Sequence, residues 1–126
     1  MQPDAGLRDT LRALYESMSG GNADAVEAFY SLADGSVFMG TDRAEFWTDS
    51  AQHNADVRHF FDGSEGVLRW EAGEAIALTE GSVGWTVDRP TLRLPDGSSV
   101  ELRLTLVWHR ENGDWRVVHS HASIGT

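Results

Sequence analysis

The spacing of apolar residues changes once along this chain, near residue 62, and that change limits the folds that the chain can adopt. Before it, apolar residues recur at intervals of three and four, which is the period of an amphipathic helix. After it, they alternate with polar residues in runs that end at turn dipeptides, as antiparallel strands do. A length of 126 residues is the size of one domain. The sequence therefore predicts a single α+β domain over residues 1–126, with helices first and a sheet second.

The first two predicted helices are short and close together. Pro3 suits a first helical turn, and the Gly20-Gly21 pair ends the first helix. Asn22 is the predicted cap of the second helix, where Asp24 favours the first turn. The apolar stripe of the first helix consists of Leu7, Leu11, Leu14, Tyr15 and Met18, and the second turns Ala25, Val26, Phe29 and Tyr30 inward.

A brief strand at residues 36–40 precedes the third predicted helix, which begins at Asp42. Glu45 follows three residues later and completes a pair typical of a capping box. The sequence Asp62-Gly63-Ser64 ends this helix. Its apolar side is predicted to hold Phe46, Trp47, Val57, Phe60 and Phe61.

The second half predicts a four-stranded antiparallel meander. Asp96-Gly97 and Asn112-Gly113 are strong signals for two-residue hairpin turns, because a type I′ turn needs positive φ at both central residues. Gly73 indicates a bulge or bend inside the first strand. The predicted strands are residues 67–78, 82–94, 100–110 and 115–124.

Two-residue turns fix the predicted register of the strands. Because successive side chains in a strand point to opposite sides of the sheet, the residues then divide into two faces. Trp85 is expected opposite Trp108, Asp88 opposite Thr105, and Leu106 opposite His119. The first predicted face holds Trp85, Val87, Arg89, Leu102, Leu104, Leu106, Trp108, Val117, His119, His121 and Ser123. The second holds Thr86, Asp88, Arg103, Thr105, Val107, Val118, Ser120 and Ala122.

Charge and composition exclude several partners and chemistries. Ten basic against twenty acidic residues give a net charge of −10, which disfavours binding to nucleic acid or to an anionic membrane. The chain has no cysteine, so disulfides, thiol nucleophiles and thiolate metal sites are excluded. The N-terminal residues lack the pattern of a secretory signal, and we expect a cytoplasmic protein.

Three segments carry a resemblance to a known superfamily: RLTLVWHRENGDWRVVHSHASIG at residues 103–125, GTDRAEFW at 40–47 and GWTVDRPTLRLPDG at 84–97. The first is similar to the association domain of calcium/calmodulin-dependent protein kinase II. All three resemble SnoaL-like members of the nuclear transport factor 2-like (NTF2-like) superfamily. The resemblance implies a cone-shaped half-barrel, in which three helices pack on a curved, mainly antiparallel sheet around a cavity. It also implies a homodimer formed partly through the sheet.

The resemblance also bears on which face lines the cavity. The kinase association domain has a pocket arginine at the position of Ala122, which puts the second predicted face inside. Arg103 then lies opposite Ala122, with Asp88, Thr105 and Ser120 beside it. We expect Asp88 as a candidate general base, Arg103 as its oxyanion partner, and Thr105 and Ser120 as ligand contacts. Trp47 and His53, from the third helix, are further candidate ligand contacts.

Two alternatives stay open at this point. Asp88 and Arg103 also suit a structural ion pair without chemistry. If the first face lines the cavity instead, His119 and His121 become the pocket residues. With the second face inside, the leucines and tryptophans of the first form an apolar plate that a symmetric dimer would bury. Two histidines in one strand without a third ligand make a poor metal site, and no metal is predicted.

The functional expectation has two branches. SnoaL-like enzymes imply acid–base chemistry, without a cofactor, on a cyclic or polyketide-like carbonyl compound, which would make this chain an isomerase, cyclase or dehydratase. The kinase association domain implies a non-catalytic module for ligand binding or oligomerisation. The sequence leaves open whether the chain is an enzyme, since this fold hosts both kinds of protein.

Overall fold

The computed structural model describes residues 1–62 and 67–125, and within them it shows three helices and nine strands. The helices are α1 (Ala5–Ser19), α2 (Ala23–Ala28) and α3 (Ser50–Phe61). The strands are β1 (Gln2–Pro3), β2 (Val37–Met39), β3 (Phe46–Trp47), β4 (Arg69–Glu71), β5 (Ile76–Glu80), β6 (Val83–Asp88), β7 (Thr91–Arg93), β8 (Ser99–Glu111) and β9 (Asp114–Ile124). The α+β class is confirmed.

Helix α1 begins at Ala5, two residues after Pro3. Pro3 lies in β1 and pairs with Leu78, while the Asp4 side chain caps the helix by accepting a hydrogen bond from the Leu7 amide at 2.9 Å. The predicted apolar stripe of α1 is fully confirmed, since all five of its residues are buried. Asn22 caps α2 as predicted, through the Ala25 amide.

The predicted start of the third helix is wrong. Asp42 and Glu45 bond to nearby amides as a capping pair does, but they close a turn in front of β3. Helix α3 begins at Ser50, because Asp49 accepts from the amides of Ala51 and Gln52. Phe46 and Trp47 consequently lie in a strand and not on a helix face. The predicted helix end extends into residues 63 and 64, which lie outside the described residues.

The sheet is open, curved and mixed. Its main path runs β1-β5-β6-β8-β9-β2-β3, and β4 and β7 extend it from one end of β8. All pairs along it are antiparallel except β2 with β9, which is parallel. The helices cover one side, where Leu7, Leu11 and Leu14 are completely buried. Among the described residues no helix is long and apolar enough to cross a membrane.

Two of the predicted long strands are each split in two. The strand at 67–78 divides into β4 and β5 around Gly73, whose amide turns toward Asp88. The strand at 82–94 divides into β6 and β7 at Pro90, which has no amide proton for a ladder. The Pro90 carbonyl still accepts from the Leu102 amide at 3.0 Å. These breaks let the sheet bend around the helices.

The Asn112-Gly113 turn is confirmed, with φ of 52° and 86° as a type I′ turn requires. It pairs Glu111 with Asp114 and Trp108 with Val117, as the sequence predicts. Beyond Val117 the register slips, because a β-bulge leaves Val118 without a partner. Leu106 therefore lies opposite Ser120, and His119 lies opposite Val107.

The Asp96-Gly97 turn is longer than predicted. The Gly97 amide bonds to the Leu94 carbonyl, and the Leu94 amide bonds to the Ser98 carbonyl, so three residues with Pro95 first form the loop. Only Gly97 has positive φ there. The extra residue moves the register by one, and Asp88 lies opposite Leu104 instead of Thr105.

These two shifts rearrange both predicted faces. The inner face, against the helices, combines Thr86, Asp88, Leu102, Leu104, Leu106, Trp108, Val117, Ser120 and Ala122. The outer face carries Trp85, Val87, Arg103, Thr105, Val107, His119 and His121. The predicted leucine plate on the outside is therefore wrong, because the leucines of β8 are core residues.

Candidate functional site

A cavity of about 600 Å³ lies between the helices and the inner face of the sheet. Its wall is mainly apolar, with leucines from β8 on one side and aromatic residues from the helices and β3 on the other. The residues that line it are Leu14, Met18, Tyr30, Met39, Gly40, Thr41, Glu45, Trp47, His53, Asp56, Val57, His59, Phe60, Phe61, Trp70, Leu92, Val100, Leu102, Leu104, Leu106, Ser120, Ala122 and Ile124. A volume of this size is typical of small-molecule sites.

His53 is the most deeply buried ionisable group in the cavity wall, only 4% exposed. It lies on the inner face of α3, one turn before Val57 and two before Phe61. Its imidazole stacks on Phe38 with ring centroids 4.0 Å apart, and Tyr30 and Trp47 approach it at 4.7 and 5.1 Å. Three aromatic rings therefore hold the imidazole in one orientation.

The protonation of His53 follows from this setting. Burial lowers the pKa of His53, and the weaker effects of the Asn54 hydrogen bond and the Asp56 charge oppose that shift only in part. The imidazole is thus neutral at pH 7. Its Nδ1 donates to Asn54 Oδ1 at 3.1 Å, since an amide oxygen can only accept. Nε2 then keeps its lone pair, and within the described residues nothing hydrogen-bonds to it.

Tyr30 lines the cavity beside His53 and was predicted only as an inward residue of the second helix. It lies just after α2, in an isolated bridge to Val117. Burial raises the pKa of the Tyr30 hydroxyl far above its ordinary value, so that the phenol stays protonated. The wall thus contains a neutral base and a neutral proton donor whose rings are in contact.

Trp47 lies at the cavity wall, but it arrives there from β3 and not from a helix. Its Nε1 donates to Asp56 Oδ2 at 2.8 Å, and Gln52 Nε2 donates to Asp56 Oδ1 at 2.9 Å. Trp70, from β4, also lines the cavity and stacks on Tyr15. Its indole N–H is buried and has no hydrogen-bond partner among residues 1–62 and 67–125, which is rare in folded proteins.

Asp88 faces inward as expected, yet it does not line the cavity. Its carboxylate accepts hydrogen bonds from the Tyr15 hydroxyl at 2.8 Å and from the amides of Gly73 and Arg89 at 3.1 and 2.8 Å. Burial, and then the Asp88 charge, raise the pKa of the Tyr15 hydroxyl. Asp88 thus joins α1, β6 and the segment before β5.

Arg103 is on the opposite face of the sheet, exposed to solvent, so its predicted convergence with Asp88 is wrong. Thr105 shares that outer face. Of the predicted polar row only Ser120 reaches the cavity. His119 and His121 are on the outer face, where His119 Nδ1 bonds to the Val37 carbonyl at 2.8 Å. The alternative in which these two histidines line the pocket is wrong as well.

The sequence gives weak signals for the residues that it left out of the site. No spacing or motif in the sequence marks Tyr30, Glu45 or Asp56 as a site residue. Their positions in the cavity wall depend on how α3 packs against the rest of the fold. No group of three or more potential metal ligands comes together in residues 1–62 and 67–125.

Comparisons with known proteins agree with this architecture. A family model of the SnoaL-like domain matches residues 7–126. No curated relative matches the sequence. An NTF2-like protein of unknown function from Pseudomonas putida KT2440 has 18% identity and a TM-score of 0.80, over 93% of this chain and 82% of its own.

Two further solved structures share the fold. A proposed calcium/calmodulin-dependent protein kinase type II association domain from Thiobacillus denitrificans has 21% identity and a TM-score of 0.75, over 94% of each chain. A proposed dehydratase of the NTF2-like family from Streptomyces avermitilis has 13% identity and a TM-score of 0.79, over 95% of this chain and 94% of its own. The solved structures show that the three helices and the curved sheet have the NTF2-like fold, and the family model shows that the chain belongs to the SnoaL-like domain family.

Proposed function

We propose that this chain binds a small, mainly apolar carbonyl compound in the cavity and catalyses a cofactor-independent acid–base reaction on it. The observation that carries the proposal is the neutral His53 in the wall of an otherwise apolar cavity, with Nε2 available to a ligand. A general base works best when its pKa is near the working pH or slightly below it. The proposal includes the cytoplasmic location expected from the sequence.

The proposed chemistry uses two side chains. His53 Nε2 removes a proton from the carbon next to the carbonyl, and the electron pair of that C–H bond moves into an enolate. The Tyr30 hydroxyl donates a hydrogen bond to the enolate oxygen, where negative charge develops. If the substrate has a β-hydroxyl, protonated His53 gives its proton to that leaving group. Water departs, a carbon–carbon double bond forms, and His53 is neutral again.

Isomerisation follows from the same residues when no leaving group is present. The proton on His53 then returns to a different carbon of the dienolate and moves the double bond. The proposed dehydratase from Streptomyces avermitilis shares the fold, which is compatible with the elimination branch. In either branch Trp47 and Ser120 are proposed ligand contacts, because both line the cavity. The indole N–H of Trp70, which has no acceptor within the described residues, is a further donor to which a carbonyl ligand would supply an acceptor.

The test begins with binding. Intrinsic tryptophan fluorescence and thermal shift against cyclic β-hydroxy ketones and enones would identify a ligand, since Trp47 and Trp70 line the cavity. Turnover is then compared in His53→Phe, which keeps an aromatic ring of similar size, and in His109→Phe as the matched control, on the outer face and outside the cavity wall. We expect His53→Phe to lose ~100-fold or more in kcat and the control to stay at the wild-type rate. Full activity of His53→Phe would contradict the proposal.

A second candidate function, assembly into a homodimer, is favoured by the outer face of the sheet. Two neighbouring cross-strand rows there are largely apolar, although no helix covers them in the described residues. The rows are Ile76, Val87, Thr105 and His121, and Leu78, Trp85, Val107 and His119. Val87 is 41% exposed and Ile76 is 55% exposed. A second copy of this chain would remove these side chains from water.

The homodimer is tested with Val107→Glu, which places a carboxylate in the middle of the second row. Light scattering is expected to report monomers for this variant and dimers for the wild type. Ala55→Glu, on the exposed side of α3, is the matched control and should leave the mass unchanged. A wild-type chain that is monomeric at all concentrations would contradict the assembly proposal while leaving the cavity chemistry intact.

A further inference from the structure

The cavity wall is unbalanced in charge. The ionisable side chains that line it are Tyr30, Glu45, His53, Asp56 and His59. Among the described residues no arginine lines it, and the chain contains no lysine. Residues 63–66 and 126, which the structure does not describe, include no basic residue in sequence. The fixed charges on this wall are therefore the two carboxylates.

Both carboxylates are at the open end of the cavity. Asp56 is exposed and Glu45 is half-buried, whereas His53 is almost completely enclosed. The apolar residues that share the open end, Met39, Phe60 and Ile124, are also exposed. A ligand whose apolar body fills the interior thus has its outer end close to Glu45 and Asp56.

Neither negative charge is neutralised by the protein. Glu45 Oε1 accepts from the Asp42 amide, and Asp56 accepts from Trp47 and Gln52, all of which are neutral donors. In residues 1–62 and 67–125 neither carboxylate takes part in an ion pair, although Glu27 and Glu71 each bind an arginine. In the described part of the chain, both carboxylates at the cavity mouth thus have only neutral hydrogen-bond donors as partners.

We infer that the ligand carries a positively charged amine at the end that faces the mouth, attached to a neutral apolar body, and that carboxylate ligands are disfavoured. Two carboxylates in the wall of one cavity both attract a cation and repel an anion. The indole of Trp47 and the ring of Phe60, which line the same region, add attraction for a cation through their π faces. This inference rests on the binding part of the proposed function and not on its chemistry.

The test uses three probes with the same aromatic body: 2-(1-naphthyl)ethylamine, 2-(1-naphthyl)ethanol and 1-naphthylacetate. Each displaces an apolar fluorescent dye from the cavity at pH 8 and low ionic strength. We expect the amine to bind about tenfold more tightly than the carboxylate, with the alcohol between them, because two partly exposed charges act in the same direction. Added salt should reduce the difference, since it screens charges at the mouth.

A pair of double variants separates the local charges from the net charge. Glu45→Gln with Asp56→Asn removes both carboxylates at the mouth, while Asp34→Asn with Glu101→Gln removes two exposed carboxylates that do not line the cavity. Each changes the net charge from −10 to −8 (−10 + 2). In the first double variant the amine and the carboxylate should bind with nearly equal affinity. In the second the amine should still bind about tenfold more tightly than the carboxylate.

Two results would overturn the inference in different ways. Equal displacement by the amine and the carboxylate in the wild type would show that the cavity binds ligands without regard to charge, and the proposed function would stand. Failure of all three probes to displace the dye, together with no thermal shift, would remove the binding proposal itself. An equal loss of preference in both double variants would assign the effect to the overall charge of the protein and not to the mouth.

Discussion

Asp88 and His53 are buried to nearly the same extent, 3% and 4% exposed, yet their surroundings differ in kind. Asp88 has a donor for each carboxylate oxygen, all supplied by the protein. His53 has one partnered nitrogen and one that the described residues leave open, in the wall of a cavity. The comparison teaches that burial alone does not mark a site. A polar group whose partners are complete holds the fold together, whereas one with an open position can serve a ligand.

The largest expected effect in this comparison comes from Asp88→Ala. It leaves the Tyr15 hydroxyl and the Gly73 amide without an acceptor in the protein interior, at a cost of about 3 kcal/mol or more in the free energy of unfolding. Urea denaturation measures it. Asp88→Asn keeps an acceptor oxygen and serves as the control, with a smaller loss expected. If Asp88→Ala unfolds at the wild-type urea concentration, the structural role assigned to this carboxylate is wrong.

A smaller loss is expected for Tyr15→Phe, which removes one of the donors to Asp88 and keeps the aromatic stack on Trp70. Hydrogen bonds to charged groups contribute about 1.5–3 kcal/mol, so the variant should fall between wild type and Asp88→Ala. The double variant Tyr15→Phe with Asp88→Ala should lose less than the sum of the two, because both remove the same bond. Strict additivity would indicate that the bond contributes nothing.

The smallest expected effect concerns His53 and pH. Because burial lowers the pKa of His53 below its unfolded value, the folded state binds fewer protons than the unfolded state in the window between the two values. The contribution of the neutral imidazole is complete above the ordinary pKa of about 6.5 and is lost as the pH falls below it.

Urea denaturation from pH 8 to pH 5 tests this sign. The wild type should lose stability more steeply than His53→Phe below pH 6.5, by at most about 1.4 kcal/mol per pH unit. Groups that titrate in both proteins cancel in the difference. A parallel pH dependence for the two proteins would show that His53 titrates in the folded state as it does in the unfolded chain.

Much of the fold was predictable because local chemistry decides it. The stripe of α1 repeats at helical spacing, Asn22 has a side chain that caps a helix, and Asn112-Gly113 can hardly form anything but a type I′ turn. Where two local signals compete, prediction fails. Two places offer capping groups for the third helix: the pair Asp42 and Glu45, and Asp49. The pairing of β3 with β2 makes residues 46 and 47 a strand, so that the helix begins after Asp49.

The candidate site was predictable only in part, because it depends on register. Pro95 lengthens one loop by a residue, and that moves Arg103 to the outer face while Asp88 stays inside. His53 was identified from its helical neighbours. Its pairing with Tyr30 depends on how two helices pack across the cavity, and no residue spacing in the sequence encodes that contact.

The unpaired Val118 has a consequence for how such a cavity can change over generations. Deletion of Val118 would restore even pairing along β9 and would leave His119 opposite Val107 on the outer face and Ser120 opposite Leu106 in the cavity wall. One in-frame deletion at this position would thus shorten β9 by a residue without changing which of its side chains line the cavity. Val118 is therefore a position in β9 where the loss of a residue should change the cavity little.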